Sequence, residues 1–201
     1  MSQPDNQNAV NPLPPVIVAL FLLILGIELT FALGSRGLIG GPEAVGWRLA
    51  ALQKDAFSSD ISDWMLSNGV YPAEHVIRPI SYMFVHGSLT HAVFAGVMLL
   101  AMGKMGGEIF SPWATLAVFI LSGIIGALVF GLILSGPTPL FGAFPGVDGL
   151  IGGFTFLMWV RLGVIGESQA RANRDDENGE AEAMHPGEFG ERGFPLADDQ
   201  D

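Results

Sequence analysis

The stretch WATLAVFILSGIIGALVFGLILSGPTPLFGAFPGV, residues 113–147, contains no charged side chain and decides the fold class. A helix needs about 20 apolar residues to cross the hydrocarbon core of a bilayer, which is roughly 30 Å thick. The stretch is long enough for one crossing, a turn rich in Gly and Pro, and the start of another crossing. Backbone polar groups in lipid must be paired within their own segment, so both crossings are predicted to be α-helices.

Four segments of the chain are long and apolar enough to cross a membrane. They are residues 16–33, about 82–103, 113–135 and about 146–165. Half of all residues are hydrophobic and only 14% are charged, a balance that indicates a polytopic membrane protein. The polar arm before the first segment has no Lys or Arg, so we interpret that segment as a retained helix and not as a secretory signal. The sequence therefore predicts an all-α polytopic membrane protein with about four transmembrane helices.

Composition divides the chain into three parts: a polar arm (1–12), a transmembrane domain (13–166) and an acidic tail (167–201). The tail has eleven acidic side chains and three arginines, which is typical of a solvated, disordered segment. The long loop between the first two crossings has apolar residues at helical spacing. We expect that loop to form an interfacial helical layer on the bilayer.

Charge excludes some functions but does not orient the protein. The net charge of −11 is concentrated in the tail, and no basic stripe is present, so a nucleic-acid partner is not expected. The chain has no cysteine and therefore no thiol chemistry. Leaving aside Arg192, which is far along the tail, the basic residues divide four against four, which gives no orientation by the positive-inside rule. One side would hold Lys104, Arg161, Arg171 and Arg174, and the other Arg36, Arg48, Lys54 and Arg78.

Two histidines, His86 and His91, stand five residues apart near the start of the second crossing. On a helix this spacing would place them about 140° apart. Paired histidine ligands are normally three or four residues apart, so no metal is predicted, and nothing indicates another cofactor. Each histidine either pairs with a carbonyl or water at the helix end, or donates a hydrogen bond to a developing negative charge.

Two carboxylates interrupt the apolar segments. Glu28 lies in the last third of the first crossing, and Asp148 lies one turn into the fourth. Because an acid in the membrane is costly, both are possible functional acids. Alternatively, Glu28 lies at the interface, and Asp148 caps the start of its helix. Small residues four apart in the last two crossings, such as Gly149 and Gly153, favour close helix packing whatever the function.

The histidine motif resembles that of the rhomboid family of intramembrane serine proteases. His86, then His91 five residues later and Ala95 four residues after that, are similar to the His, His and Asn of the family's second transmembrane helix. Arg78, thirteen residues before His91, stands where rhomboids carry the Arg of a Trp-Arg pair, and Ile77 replaces the Trp.

The sequence GAFPGVDGLIG, which begins at Gly142, resembles the family's Gly-x-Ser-Gly turn at the start of the fourth helix. Gly149 and Gly152 are in step with that pattern. The nucleophile position is occupied by Phe144, or by Pro145 if the register slips by one residue. The resemblance implies a fold in which a Ser–His dyad would lie between six helices, yet neither the serine nor counterparts of the fifth and sixth helices are present.

The resemblance therefore implies a degenerate, shortened rhomboid-like protein, a pseudoprotease with no catalytic residue. His91 matches the histidine of the family's oxyanion site, but Ala95 replaces the asparagine. We expect the protein to bind transmembrane helices or a membrane protein complex, with membrane lipids around it. The alternatives are a truncated or divergent rhomboid-type endopeptidase and a structural accessory subunit of a membrane assembly. The expected location is the bacterial inner membrane, with both termini cytoplasmic.

Overall fold

The computed structural model describes residues 12–134, 136 and 138–183, and within these ranges it is helical apart from turns and one isolated β-bridge. Four long helices are α1 (Pro15–Ser35), α6 (Leu89–Ile109), α7 (Pro112–Ile133) and α8 (Phe144–Ala183). Between α1 and α6 lie α2 (Trp47–Asp55), α3 (Ser59–Asn68), α4 (Ala73–Val76) and α5 (Arg78–Ser81), with 3₁₀ turns at Pro42–Gly46 and Tyr82–Phe84.

The four long helices are apolar and long enough to cross a membrane. The candidate spans are Pro15–Ser35, Leu89–Ile109, Pro112–Ile133 and Phe144–Glu177. The predicted all-α, four-span architecture is thereby confirmed, and helices do occupy the loop between the first two spans. The protein is an all-α polytopic membrane protein.

The second span begins later than the sequence pattern predicts. We expected it from about residue 82, but α6 begins at Leu89. Ser88 has extended backbone, and its hydroxyl accepts a hydrogen bond from the backbone N–H of His91 at 3.2 Å. Serine is a preferred residue at this position because its oxygen satisfies one of the N–H groups left unpaired at a helix start. The apolar residues before it form a 3₁₀ turn and an extended segment instead.

The core lies where α1, α6 and α7 meet the turn before α6. Its fully buried side chains include Ile17, Ile24, Leu99, Phe119 and Met83. Small residues allow the helices to approach one another closely. In lipid there is no hydrophobic driving force between helices, so close packing of this kind holds them together.

The contact between α7 and α8 depends on small residues of α8. A methyl group on Gly149 would overlap the side chain of Ser122, and one on Gly146 would stand 2.7 Å from the ring of Phe119. Gly152 differs, because a methyl group there would meet nothing within 4 Å. The predicted close packing is therefore present at Gly149, whereas a methyl group at Gly153 would lie 4.0 Å from the nearest side chain, Val118.

The chain divides into two compact units, residues 1–156 and residues 157–201. In the described part of the second unit, α8 continues to Ala183, which corrects the expectation of a disordered tail from residue 167. Glu, Gln, Ala and Arg are strong helix formers, and Glu167 pairs with Arg171 one turn later at 3.9 Å. The remainder of the predicted tail and most of the predicted N-terminal arm lie outside the described residues.

Candidate functional site

The loop between α1 and α6 is anchored by polar contacts at the end of α2. The buried Arg78 donates from Nη1 to the carbonyl of Ala56 at 2.9 Å and from Nη2 to that of Gln53 at 3.1 Å. The hydroxyl of Ser81 donates to the carbonyl of Asp55 at 3.2 Å. The last carbonyls of a helix have no partner within it, so Arg78 serves as a cap for α2.

A short backbone bridge joins this loop to the connection between α7 and α8. The N–H of Phe57 donates to the carbonyl of Leu140 at 2.9 Å, and the N–H of Leu140 donates back at 2.8 Å. The hydroxyl of Ser59 donates to the carbonyl of Gly136 at 2.9 Å. The loop therefore supports the segment that leads into Gly142 and the start of α8.

The structure brings His86 and His91 together. Their ring centroids are 5.1 Å apart, with 78° between the ring planes. The expectation that they lie about 140° apart was wrong, because it placed both on one helix. His86 precedes the helix in the extended segment before Ser88, and only His91 belongs to α6. The serine that caps α6 was the signal that could have predicted this arrangement.

The turn before α8 packs directly on the two histidines. The N–H of Gly142 donates to the carbonyl of Tyr82 at 2.8 Å, and its backbone has a φ of 99°, which favours glycine. A methyl group at Gly142 would stand 2.9 Å from Cε1 of His91. The N–H of Ala143 donates to Nε2 of His86 at 3.2 Å. Both positions of the turn are thus fixed by the chain segment around the histidines.

The bond from Ala143 defines the state of His86. Because Nε2 accepts, the neutral ring carries its proton on Nδ1. Burial, together with a smaller effect of the neighbouring His91, lowers the pKa of His86 to about 4. His86 is fully buried, so it remains neutral and holds the turn.

Phe144, at the predicted nucleophile position, lies flat on the imidazole of His91. The ring centroids are 5.3 Å apart and the ring planes differ by 16°. A second ring, Phe141, contacts His91 edge-on at 6.0 Å. Ala95 is completely buried one turn further along α6, and Pro145 faces Gly126 of α7. The site therefore presents aromatic carbon next to the histidine, where acyl transfer would require a hydroxyl.

Phe141, Ala143 and Tyr82 are site residues that sequence reasoning missed. Apolar residues in an apolar stretch have no pattern that distinguishes a site from a core. Gly142, two residues before Phe144, was the available signal. A glycine with positive φ often marks a tight turn that packs closely against another part of the chain.

No ion pair among the described residues joins Glu28 or Asp148 to His86 or His91. Glu28 is 1% exposed and forms an ion pair with Arg48 of α2, which the sequence did not predict. The ion pair joins Glu28 to the helical loop that follows α1, and its position at the membrane interface stays a prediction. Asp148, by contrast, has an exposed side chain on α8. Among the described residues no three His, Asp or Glu side chains come together as metal ligands.

Comparison with known proteins agrees with this geometry. A family model described as the rhomboid domain matches residues 73–169, which include the capping arginine, both histidines and the turn at Gly142. Over these residues the chain is similar to a rhomboid domain, and with its four long apolar helices it is a rhomboid-like integral membrane protein. No curated protein and no solved structure matches the chain.

Proposed function

We propose that this protein is a proteolytically inactive rhomboid homologue that binds transmembrane helices or a membrane protein complex. One observation carries the proposal: the ring of Phe144 is stacked on His91, at 5.3 Å between centroids, where the family resemblance places the nucleophile. A phenyl ring has no proton to lose, and nucleophilic catalysis needs a hydroxyl or thiol within reach of a base.

The neighbouring residues support the same conclusion. Ala95 offers no amide where the resemblance places a second donor of the oxyanion site, and one such donor is worth about 2.7–4 kcal/mol in related sites. His86 uses Nε2 to accept from Ala143, so that nitrogen is not free to take a proton from a nucleophile. The turn remains intact while the groups that perform hydrolysis are replaced.

Because the groups needed for hydrolysis are replaced, we propose that the site binds transmembrane helices without cleaving them. The family resemblance implies a groove beside this turn that receives transmembrane helices, and we infer that this chain keeps that groove although the nucleophile is replaced. We place the protein in a bacterial inner membrane with both termini cytoplasmic, as the family resemblance implies.

The test of inactivity uses the purified protein in lipid with a serine-directed phosphonate and a transmembrane substrate. We expect no labelling and no cleavage by the parent protein or by Phe144→Ser. The family resemblance places His91 in the oxyanion site and the catalytic base on a sixth helix, which the described residues do not include. Phe141→Ser is the matched control, because it places the same hydroxyl on the neighbouring ring position. Cleavage by the parent that is lost in Phe144→Ala would instead establish a divergent endopeptidase.

The test of helix binding uses a photo-crosslinking residue in place of Phe94, which is exposed on α6 three residues after His91. We expect it to capture transmembrane segments of other proteins. The same crosslinker in place of Trp113, which is exposed at the start of α7, should capture mainly lipid. Equal capture at both positions would contradict binding near the turn and favour a general structural role.

A further inference from the structure

One face of α8 within the first unit is exposed and unlike the rest of the membrane surface. Its exposed residues are Asp148, Gly152, Thr155 and Phe156, whose spacing of four, three and one places them on the same side of a helix. The buried Val147 lies on the other side, in the core. We call this set the α8 face.

The carboxylate on the α8 face has no partner of its own. None of the ion pairs formed among the described residues includes Asp148. A charge within an apolar helix is costly and normally faces a partner or a cavity. The other membrane acid shows how this chain satisfies such a charge: Glu28 is buried against the guanidinium of Arg48. Asp148 is exposed and no cation of the described residues pairs with it, so a cation on another molecule can reach it.

Gly152, one helical turn from Asp148, leaves space for a binding partner to approach α8. A methyl group at Gly152 would meet no heavy atom within 4 Å, unlike Gly149 on the packed side. Small residues on a membrane helix let a neighbouring helix approach closely enough for backbone and side-chain contacts. The hydroxyl of Thr155 already donates to the carbonyl of Ile151 at 2.8 Å, so Asp148 is the polar group left to a partner.

We propose that the α8 face binds a transmembrane helix of another protein that carries Arg or Lys within its apolar span. The inference rests on the proposed function and deepens it by naming the surface and the chemistry of the partner. A second copy of this chain fits less well, because a symmetric contact through this face would place two Asp148 carboxylates side by side, and like charges in a low dielectric repel strongly.

The experiment uses the full-length protein in lipid vesicles and two synthetic peptides. Both are membrane-spanning helices of Leu and Ala, and one carries a single Arg at the depth of Asp148. Energy transfer between labelled protein and labelled peptide reports binding. We expect the Arg peptide to bind about tenfold more tightly than the all-apolar peptide, a factor in line with polar contacts between membrane helices.

Variants test separately the charge of Asp148 and the close approach that Gly152 allows. Asp148→Asn should remove the preference for the Arg peptide, and Asp148→Lys should transfer it to a peptide that carries Glu instead. Gly152→Leu should weaken binding by blocking close approach. Gly26→Leu is the matched control, because Gly26 is an exposed glycine of α1 whose added methyl would also meet nothing within 4 Å.

Each of the following outcomes would overturn the proposal. Equal binding of the Arg and apolar peptides, or binding unaffected by Asp148→Asn, would show that the carboxylate does not select the partner. Self-association through the α8 face that excludes both peptides would identify a second copy as its occupant. If both peptides bind and crosslink only near Phe94, the α8 face is not the binding surface, while the proposed function is still supported. If neither peptide binds and the Phe94 crosslinker captures no helix, both fail.

Discussion

A phenylalanine ring on one face of His91 changes what that imidazole contributes. In a stacked aromatic pair the contact contributes about 0.5–1.5 kcal/mol beyond the area that it buries. A serine at the same position would supply a hydroxyl group but would pack less extensively against His91. Phe144 therefore stabilises the turn that it occupies, and the neighbouring contact with Phe141 at 6.0 Å encloses the histidine further.

His86 should give the protein a pH-dependent stability. Its folded pKa is about 4 and its unfolded pKa is about 6.5. Between these values the unfolded chain binds a proton that the folded chain does not, so stability is full above pH 6.5 and falls as the pH drops toward 4. We expect a loss on the order of 3 kcal/mol, measured as the free energy of unfolding in detergent at a series of pH values.

Substitutions identify the source of that dependence. His86→Gln should flatten the pH profile while its amide oxygen still accepts from Ala143. His75→Gln, a histidine outside this contact, should leave the profile unchanged. A profile that keeps its shape in His86→Gln would assign the pH dependence to another group.

At the scale of elements, the start of α6 separates what the sequence could predict from what it could not. Hydropathy located the helix, because apolar residues in lipid leave few alternatives to one. Hydropathy did not locate its first residue, since Tyr82 and Met83 are as apolar as the helix and are buried in the core. The cap at Ser88 decides the boundary, and with it the contact between His86 and His91.

The contact between α2 and α5 should require the two forked N–H donors of the Arg78 guanidinium. Arg78→Lys keeps the charge but cannot donate to Ala56 and Gln53 in the same forked geometry. We expect the variant to lose on the order of 1–3 kcal/mol, because a buried carbonyl is left unpaired. Amide hydrogen exchange in α2 should become faster.

The control for this variant is Arg36→Lys, which alters an exposed arginine just after α1. It should leave exchange in α2 as it is in the parent protein. Equal protection of α2 in Arg78→Lys and in the parent would show that the hydrogen bonds of Arg78 do not anchor the helix.

At the scale of the whole molecule, the sequence predicted the spans but not the long-range contacts. Arg48 on Glu28, Leu140 on Phe57 and the hydroxyl of Tyr82 on the carbonyl of Gly123 join residues far apart in the chain. Single-sequence periodicity reports which face of an element is apolar, and it does not report which partner that face meets. The turn at Gly142 was predicted as a site from its motif, whereas the two rings around His91 follow from tertiary packing alone.

The four spans predict that both termini lie on the same side of the membrane and that the loop lies on the other. The chain has no cysteine, so Ser2→Cys, Glu43→Cys and Asp201→Cys each introduce a unique label. In sealed inverted vesicles, a maleimide that cannot cross the membrane should label positions 2 and 201 from outside. Position 43 should react only after the vesicles are opened. Labelling of positions 2 and 201 from opposite sides would contradict four spans.

The pairing of Glu28 with Arg48 also sets an order for the synthesis of this protein. The two residues are 20 positions apart, so α1 emerges from the ribosome before its cation does. Until the loop is made, the new helix offers the bilayer an unpaired acid, which opposes its insertion. We therefore expect α1 to be held stably in the bilayer only after α2 has packed against it. Biogenesis therefore couples insertion of α1 to the folding of a segment that never crosses the membrane.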